Sequence, residues 1–369
     1  MKVALIHDWL TGMRGGERVL EVFCELFPDA KIFTLLYIAG RLTPRIEGME
    51  IETSFIDRLP FSSRIYRHYL PLFPAAVELF DLRGYDLIIS ISHCVAKGII
   101  PPPSSLHICY CLTPMRYAWD QYHHYFGEDR LGFFSRKIVP LFMNYLRTWD
   151  VASSRRVDLF VASSENVKRR IRKYYRREAE VIHPPVDTDF FTPGGEDGGY
   201  FLLVSALVPY KRVDLAVATF NQLGLPLLIV GEGPESRRLR KMAKENIRFL
   251  GRVSDEKLRE LYRGCRALIF PAEEDFGIAP LEAQACGRPV IAYGKGGVLE
   301  TVIPEETGVL FSEQSVPAMV SAVDKFQRLG FNKEAIRKNA LRFSPERFKE
   351  GISTFIKEGW ERHLKEGEK

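Results

Sequence analysis

"CRALIFPAEEDFGIAPLEAQACGRPVIAY", Cys265 to Tyr293, reads as apolar run, loop, helix-like segment and second apolar run. "ALIFPA" and "PVIAY" are short and apolar at nearly every position, the pattern of strands covered on both faces. Gly277 to Cys286 between them has helical composition. Strand, helix, strand in that order is the unit of a parallel sheet, and the same grammar runs outward. Upstream come "YFLLVSAL", a helix from Arg212, "PLLIVG", a helix from Glu235, "IRFLG" and a helix from Asp255. Beyond the Pro, Gly and Asp-rich "HPPVDTDFFTPGGEDGG" lies an earlier series: "KVALIH", a helix over Gly16 to Phe27, "AKIFTLLY", "YDLIISIS", "LHICYC" and "VDLFVASS". The expectation is an α/β chain of two Rossmann-like, doubly wound domains facing across a cleft, residues 1–182 and 183–345. A last helix over 346–369 starts at Ser344 and Pro345.

Length supports two domains, since 369 residues exceed what one core usually organises. Apolar content of 46 % and charged content of 27 % are those of a globular chain and exclude extended disorder. The net charge of +5 is uneven: Arg130 to Arg177 holds thirteen Lys or Arg against three acids. The start "MKVALIHDWL" runs into a strand pattern rather than a leader, and no apolar run reaches the ~18 residues of a membrane span. A cytoplasmic protein is expected, with peripheral attachment to the inner face of the membrane as an extension of that reading. Six cysteines without a C-x-x-C pair read as buried thiols. Phe55 to Phe80, aromatic, basic and Pro-interrupted, reads as an insertion of unusual surface.

Ligands of open α/β sheets bind beyond the carboxyl ends of the strands, so the loops after strands are the place for chemistry. After the first strand, Gly15 and Gly16 precede a helix and let backbone N–H groups approach a phosphate. In the second domain, Lys211 and Arg212 lie between strand and helix in "VPYKRVDLAV", where a cation can neutralise a leaving diphosphate. Glu274 falls in the loop after "ALIFPA" and Glu282 within the following helix. Phe276, Gly277 and Ile278 offer the N–H groups of that helix start. Two carboxylates around a phosphate seat suit a hydroxyl-rich ligand carrying phosphates, which describes a nucleotide sugar.

On these residues the chain resembles retaining glycosyltransferases of family 4, of the GT-B fold. Their E-x7-E signature is matched by Glu274 and Glu282, and "VIHPPVDTDFF", "VPYKRVDLAV", "VGEGPE", "FLGRVSDEKLRELYRGC" and "GKGGVLETV" follow in family order. The resemblance implies that Glu274 contacts hydroxyls of the transferred sugar, Glu282 the ribose, Lys211 the diphosphate, and the amides near Gly15, Gly16, Phe276 and Gly277 the phosphates. It also implies a C-terminal helix that returns to the first domain. "SHCVAKG" and "CYCLTPMRYAWDQY" resemble mannosyltransferases of bacterial surface-polysaccharide and O-antigen assembly. GDP-mannose is then the leading donor and a lipid-linked or oligosaccharide glycan the acceptor, with a UDP-sugar as the alternative. A front-face displacement needs no essential cofactor or metal, and "DTD" at Asp187 to Asp189 belongs to the connecting segment.

Two positions depart from the family pattern. Ala206 stands where Arg is frequent, which leaves a phosphate contact to Arg212 or to none. Leu112 stands where many relatives carry His, whose task is lost or moved to His93, His107, His123 or His124; His93, Arg116 and His123 are the candidate acceptor or sugar contacts. The basic helix "ENVKRRIRKYYRRE", with the Phe55 to Phe80 insertion, reads as a face for an anionic membrane, and nothing resembles a nucleic-acid module. A GT-B epimerase or phosphorylase, and a degenerate nucleotide-sugar binding protein, are the competing readings.

Overall fold

The computed structural model describes residues 1–122 and 133–367. The chain divides into two compact units, Met1–Pro184 with Phe348–Lys369, and Pro185–Arg347. Each is a parallel sheet flanked by helices, as the apolar runs require.

The first sheet has seven strands in the order β3-β2-β1-β4-β5-β6-β7. These are β1 (Val3–His7), β2 (Lys31–Thr34), β3 (Glu50–Thr53), β4 (Leu87–Ser92), β5 (Leu106–Cys111), β6 (Leu159–Ala162) and β7 (Glu180–Val181). β1, β4 and β5 are buried at every position. One face packs on helix α1 (Gly15–Leu26) and on the C-terminal helix, whose Phe348, Ile352, Phe355 and Ile356 join the core of Leu5, Leu20, Ile89 and Tyr110. The other face packs on residues of the 55–80 segment and on helix α2 (Phe133–Ser154), through Phe73, Val77, Met143 and Leu146.

The 55–80 segment therefore differs from the surface its composition suggested. Ile56, Tyr66, Phe73, Ala76, Val77 and Phe80 are core residues, and Phe61, Ile65, Leu72 and Leu79 are the large apolar side chains it leaves exposed. Its Pro-interrupted turns let aromatics reach inward from irregular backbone. Helix α3 (Glu165–Tyr175) likewise spends part of its charge internally. Arg170 is buried and pairs with Asp120 while donating to Thr113 Oγ1 at 2.6 Å, and Arg177 just beyond the helix donates to the carbonyls of Ser154 and Val157.

The second sheet has six strands in the order β10-β9-β8-β11-β12-β13. These are β8 (Tyr200–Val204), β9 (Leu227–Val230), β10 (Ile247–Gly251), β11 (Cys265–Phe270), β12 (Val290–Tyr293) and β13 (Gly308–Phe311). All pairs are parallel. Helices α4 (Val213–Leu223), α5 (Ser236–Met242), α6 (Asp255–Gly264), α7 (Ile278–Ala285), α8 (Val316–Arg328) and α9 (Lys333–Leu341) follow the strands, and α10 (Pro345–Gly367) carries the chain to the first unit. The Rossmann-like, doubly wound class read from the sequence is borne out in both units. All six cysteines are buried and unpaired, the state expected of thiols in apolar strands and helices.

Candidate active site

In the second unit the chain winds one way from β8 and the other way from β11, and these two strands are neighbours. Their carboxyl ends make a topological switch point, where open sheets leave a crevice. The loop after β8 ends in a short 3-10 turn, Pro209–Lys211, and Arg212 takes a left-handed φ of 51° before α4 begins. The loop after β11 carries Glu274. Lys211 Nζ and the Glu274 carboxylate form an ion pair across the crevice, with side chains 15 % and 20 % exposed. Sequence reasoning placed both residues in loops; the structure brings them into contact.

Neighbouring residues hold that pair in place. Gly297 N–H donates to the Glu274 carbonyl at 2.8 Å, and Gly296, at φ 77°, bridges Glu274 along the backbone. A Cβ on Gly296 would stand 2.2 Å from the Glu274 carbonyl oxygen, so only glycine admits this approach. The "VGEGPE" turn serves the other loop: Leu207 N–H donates to Glu232 O, Glu235 N–H to Leu207 O, and a Cβ on Gly233 would stand 2.3 Å from Leu207 O. Its glycines permit this close backbone packing. Gln314 ties the two loops together, accepting from Arg212 Nη1 at 3.1 Å and donating to Pro271 O at 2.8 Å. Arg212 also reaches Asp214 at 3.4 Å.

Phe276 is buried against Phe343, Gly277 has φ 88°, and Ile278 starts α7. Amides in the first turn of a helix have no intrahelical acceptor, so this start presents donors and a partial positive charge. Glu282 lies within α7 and accepts a hydrogen bond from the fully buried Tyr262 of α6 at 2.8 Å. Lys211, Arg212, Glu274, the residues 276–278 and Glu282 thus share one unit and one sheet edge.

Gly15, Gly16, His93 and Arg116 belong to the first unit. Gly15 opens α1, and a Cβ on Gly16 would stand 2.9 Å from Leu112 Cδ1 and 3.3 Å from His7 Nε2. The same first turn contains the buried carboxylate of Glu17, which competes with any anion brought to these amides. Arg116 is half-buried in the turn after β5. His107 is fully buried on β5, bonded to Ser90 and Arg156, and has no access to a ligand. His123 and His124 lie outside the described residues.

Sequence reasoning missed Asp8 and Gln314. Asp8 accepts the N–H groups of His93, Cys94, Val95 and Ala96 and the ring of His93, contacts that no local pattern announces. Among the described residues no group of three or more His, Cys, Asp or Glu is placed to hold a metal.

The model described as "Glycosyltransferase Family 4" matches residues 13–190, and that described as "Glycosyl transferases group 1" matches residues 187–343. A D-inositol 3-phosphate glycosyltransferase of Mycobacteroides abscessus is 30 % identical over 184 residues, covering 42 % of this chain and 41 % of that one. The chain spans about half the length of the curated relatives it matches. Among solved structures, Anabaena HepE in complex with UDP-glucose superposes with a TM-score of 0.72 at 16 % identity, over 97 % of this chain and 100 % of that one. The lipopolysaccharide outer core galactosyltransferase WaaB gives 0.66 at 16 % identity, over 96 % and 99 %. At these identities the likeness is one of fold.

Proposed function

We propose that the chain is a glycosyltransferase of family-4 type, which moves a hexose from a nucleoside diphosphate sugar to a glycan hydroxyl with retention of configuration; the two family models matched over residues 13–190 and 187–343 support the reading. The observation that carries the reading is the Lys211–Glu274 pair at the β8/β11 switch point. In the chain without donor, each partner satisfies the other. A nucleotide sugar replaces that contact on both sides: its diphosphate takes Lys211 and its sugar hydroxyls take Glu274.

Arg212, fixed by Gln314, adds a second cation beside Lys211, and the start of α7 adds N–H donors from Phe276 to Ile278. Glu282, oriented by Tyr262, receives the ribose hydroxyls. In the transfer, the bond from the anomeric carbon to the diphosphate oxygen breaks while a bond to the acceptor oxygen forms on the same face. The acceptor's proton passes to the departing diphosphate. Negative charge grows on that diphosphate, and fixed cations and dipoles stabilise it there without reorganising. Gly15 and Gly16 offer a further seat for ligand oxygens on the first unit, which Glu17 biases towards hydroxyls over phosphates. Arg116 is a second contact for acceptor or sugar.

Mannose from GDP-mannose is the donor favoured by the "SHCVAKG" and "CYCLTPMRYAWDQY" segments. A UDP-hexose is favoured instead by the fold shared with HepE, whose structure holds UDP-glucose. The acceptor is a hydroxyl of a lipid-linked or oligosaccharide glycan of the cell surface, and the protein works peripherally at an anionic membrane on its cytoplasmic side. Calorimetric titration with GDP-mannose, UDP-glucose, GDP and UDP, with and without magnesium, tests the donor site. Binding of one base class, unchanged by chelator, is the expected result. Absence of binding to all four would remove the nucleotide-sugar reading.

A further inference from the structure

The first sheet repeats the topology of the second, and its switch point lies between β1 and β4. Asp8 follows β1 directly and His93 follows β4, so their contact spans that crevice as Lys211 and Glu274 span the other. Asp8 is fully buried. Its Oδ2 accepts from His93 N–H at 2.7 Å and Cys94 N–H at 2.9 Å, and its Oδ1 from Val95 N–H at 2.6 Å and Ala96 N–H at 2.7 Å. Four donors would satisfy a carboxylate whose only task was to close the turn. Here it also holds His93 Nδ1 at 3.0 Å, and the His93 side chain stays 29 % exposed. The edge-on ring of Trp9, 4.5 Å between centroids, fixes the imidazole from the side. A carboxylate that accepts from one ring nitrogen fixes the tautomer and the direction in which the other nitrogen points.

The surroundings decide what the ring presents itself to. Burial works against a charged His93, but the Asp8 carboxylate, through its charge and hydrogen bond, outweighs that and raises the pKa. With Nδ1–H directed at Asp8, Nε2 carries an N–H while the ring is charged and a lone pair once it is neutral, and a hydroxyl can meet either. The carboxylate of Glu17 acts on the same ring, against the guanidinium of Arg14. Next to it, His7 is held neutral by burial, with Nδ1 at 3.1 Å from the Trp9 carbonyl, and its buried Nε2 has no hydrogen-bond partner among the described residues. That lone pair, facing Gly16 in the first turn of α1, together with two carboxylates disfavours an anion. An uncharged ligand oxygen that accepts from one group and donates to another meets no such opposition.

We propose that Asp8 and His93 build a hydroxyl-binding site at the β1/β4 switch point of the first unit, with His93 Nε2 as the contact atom and Asp8 as its positioning residue, and that its ligand is a neutral sugar. The site rests on the glycosyltransferase reading for its role, as the place where an acceptor hydroxyl is received.

The test uses the full chain labelled with 15N in its histidine rings, titrated with methyl α-mannopyranoside and, separately, with inorganic phosphate at matched ionic strength. Assignment comes from the His93→Gln variant, which keeps a side-chain N–H for Asp8. The expected result is a saturable shift of the His93 ring with the glycoside and none with phosphate. In the variant, glycoside binding followed by the Trp9 indole signal weakens roughly threefold or more, the loss of one hydrogen bond to the ligand. A ring that responds to phosphate instead, or to neither probe, overturns the site, and this wild-type readout stands even if the variant fails to fold. Nucleotide binding is measured on the same sample. Nucleotide bound with a silent His93 overturns this site and leaves the transferase reading standing, whereas a glycoside response without nucleotide binding supports the site and overturns the transferase reading.

Discussion

Glu274 has two tasks, and a single substitution separates them. Its backbone is locked by Gly296 and Gly297, while its carboxylate pairs with Lys211. Glu274→Gln keeps the loop and removes the charge that pairs with Lys211. Transfer is expected to fall by about 10²-fold or more, the scale of losing one preorganised polar contact to a transition state, with nucleotide affinity kept. Steady-state rates set beside calorimetry check this, and a variant that transfers at the wild-type rate takes Glu274 out of the chemistry. His107 gives a residue-scale prediction about pH. It is fully buried, its Nε2 accepting from Ser90 at 2.9 Å, and burial pulls its pKa down from 6.5 to about 4. Held neutral when folded, it supports the native state fully above its unfolded pKa. That support is lost as the pH falls towards about 4, a span of roughly 3 kcal/mol. Urea unfolding at pH 7 and pH 5 should show His107→Gln with a smaller loss on acidification than wild type. His93, with a raised pKa, contributes with the opposite sign: its support is present below pH 6.5 and fades above its folded pKa. It is common to both proteins and cancels in the comparison; equal slopes would remove His107 as the source.

At the scale of elements, the C-terminal helix α10 gives Phe348, Ile352, Phe355 and Ile356 to the core of the first unit. It enters the core of the first unit through Phe348, which is 2 % exposed and meets Phe23 and Tyr110 edge-on at 5.8 and 5.5 Å between ring centroids. Phe348→Ala empties that position and should cost about 3–5 kcal/mol, the range for a buried aromatic cut to alanine. The loss is read as a lower unfolding midpoint of the first unit by thermal scan, with Lys357→Ala at an exposed position of the same helix as a control. A midpoint unmoved by Phe348→Ala would detach the helix from that core. Such elements were legible because their pattern is local: apolar runs give the strands, amphipathic runs the helices, Glu274 and Lys211 fall in strand-to-helix loops, and Glu282 falls in the helix behind. The 55–80 segment was misread because irregular backbone has no period by which to tell an inward aromatic from an outward one, and Phe61 and Phe73 look alike in sequence. Asp8 and Gln314 escaped because their roles lie in pairing positions far apart in the chain, which the fold alone brings together.

For the whole molecule, the remaining question is what its surplus of positive charge does once the internal pairs are subtracted. Arg170 and Arg177 are consumed inside the first unit, while Arg169, Arg172, Lys173 and Arg176 stay exposed, Arg172 at 3.6 Å from the exposed carboxylate of Glu178. In the same unit α2 exposes Ile138, Leu141 and Tyr145, at 63, 75 and 51 %, spaced three and four residues apart along one helical face. No helix among the described residues is long and apolar enough to cross a membrane, so attachment through these features would be to the surface. Near an anionic bilayer each basic residue contributes about 1 kcal/mol, and the attraction fades over a Debye length. Four such residues then give binding that salt dissolves, whereas an attachment by the apolar face alone would persist in salt. The prediction is sedimentation with vesicles containing phosphatidylserine but not with neutral phosphatidylcholine vesicles, falling steeply as salt rises. Reversing charge at Arg169, Arg172 and Lys173 together should abolish it, while Leu141→Ser alone should weaken the binding seen at low salt. Equal and negligible binding to both vesicle types would leave the basic face as solvated surface.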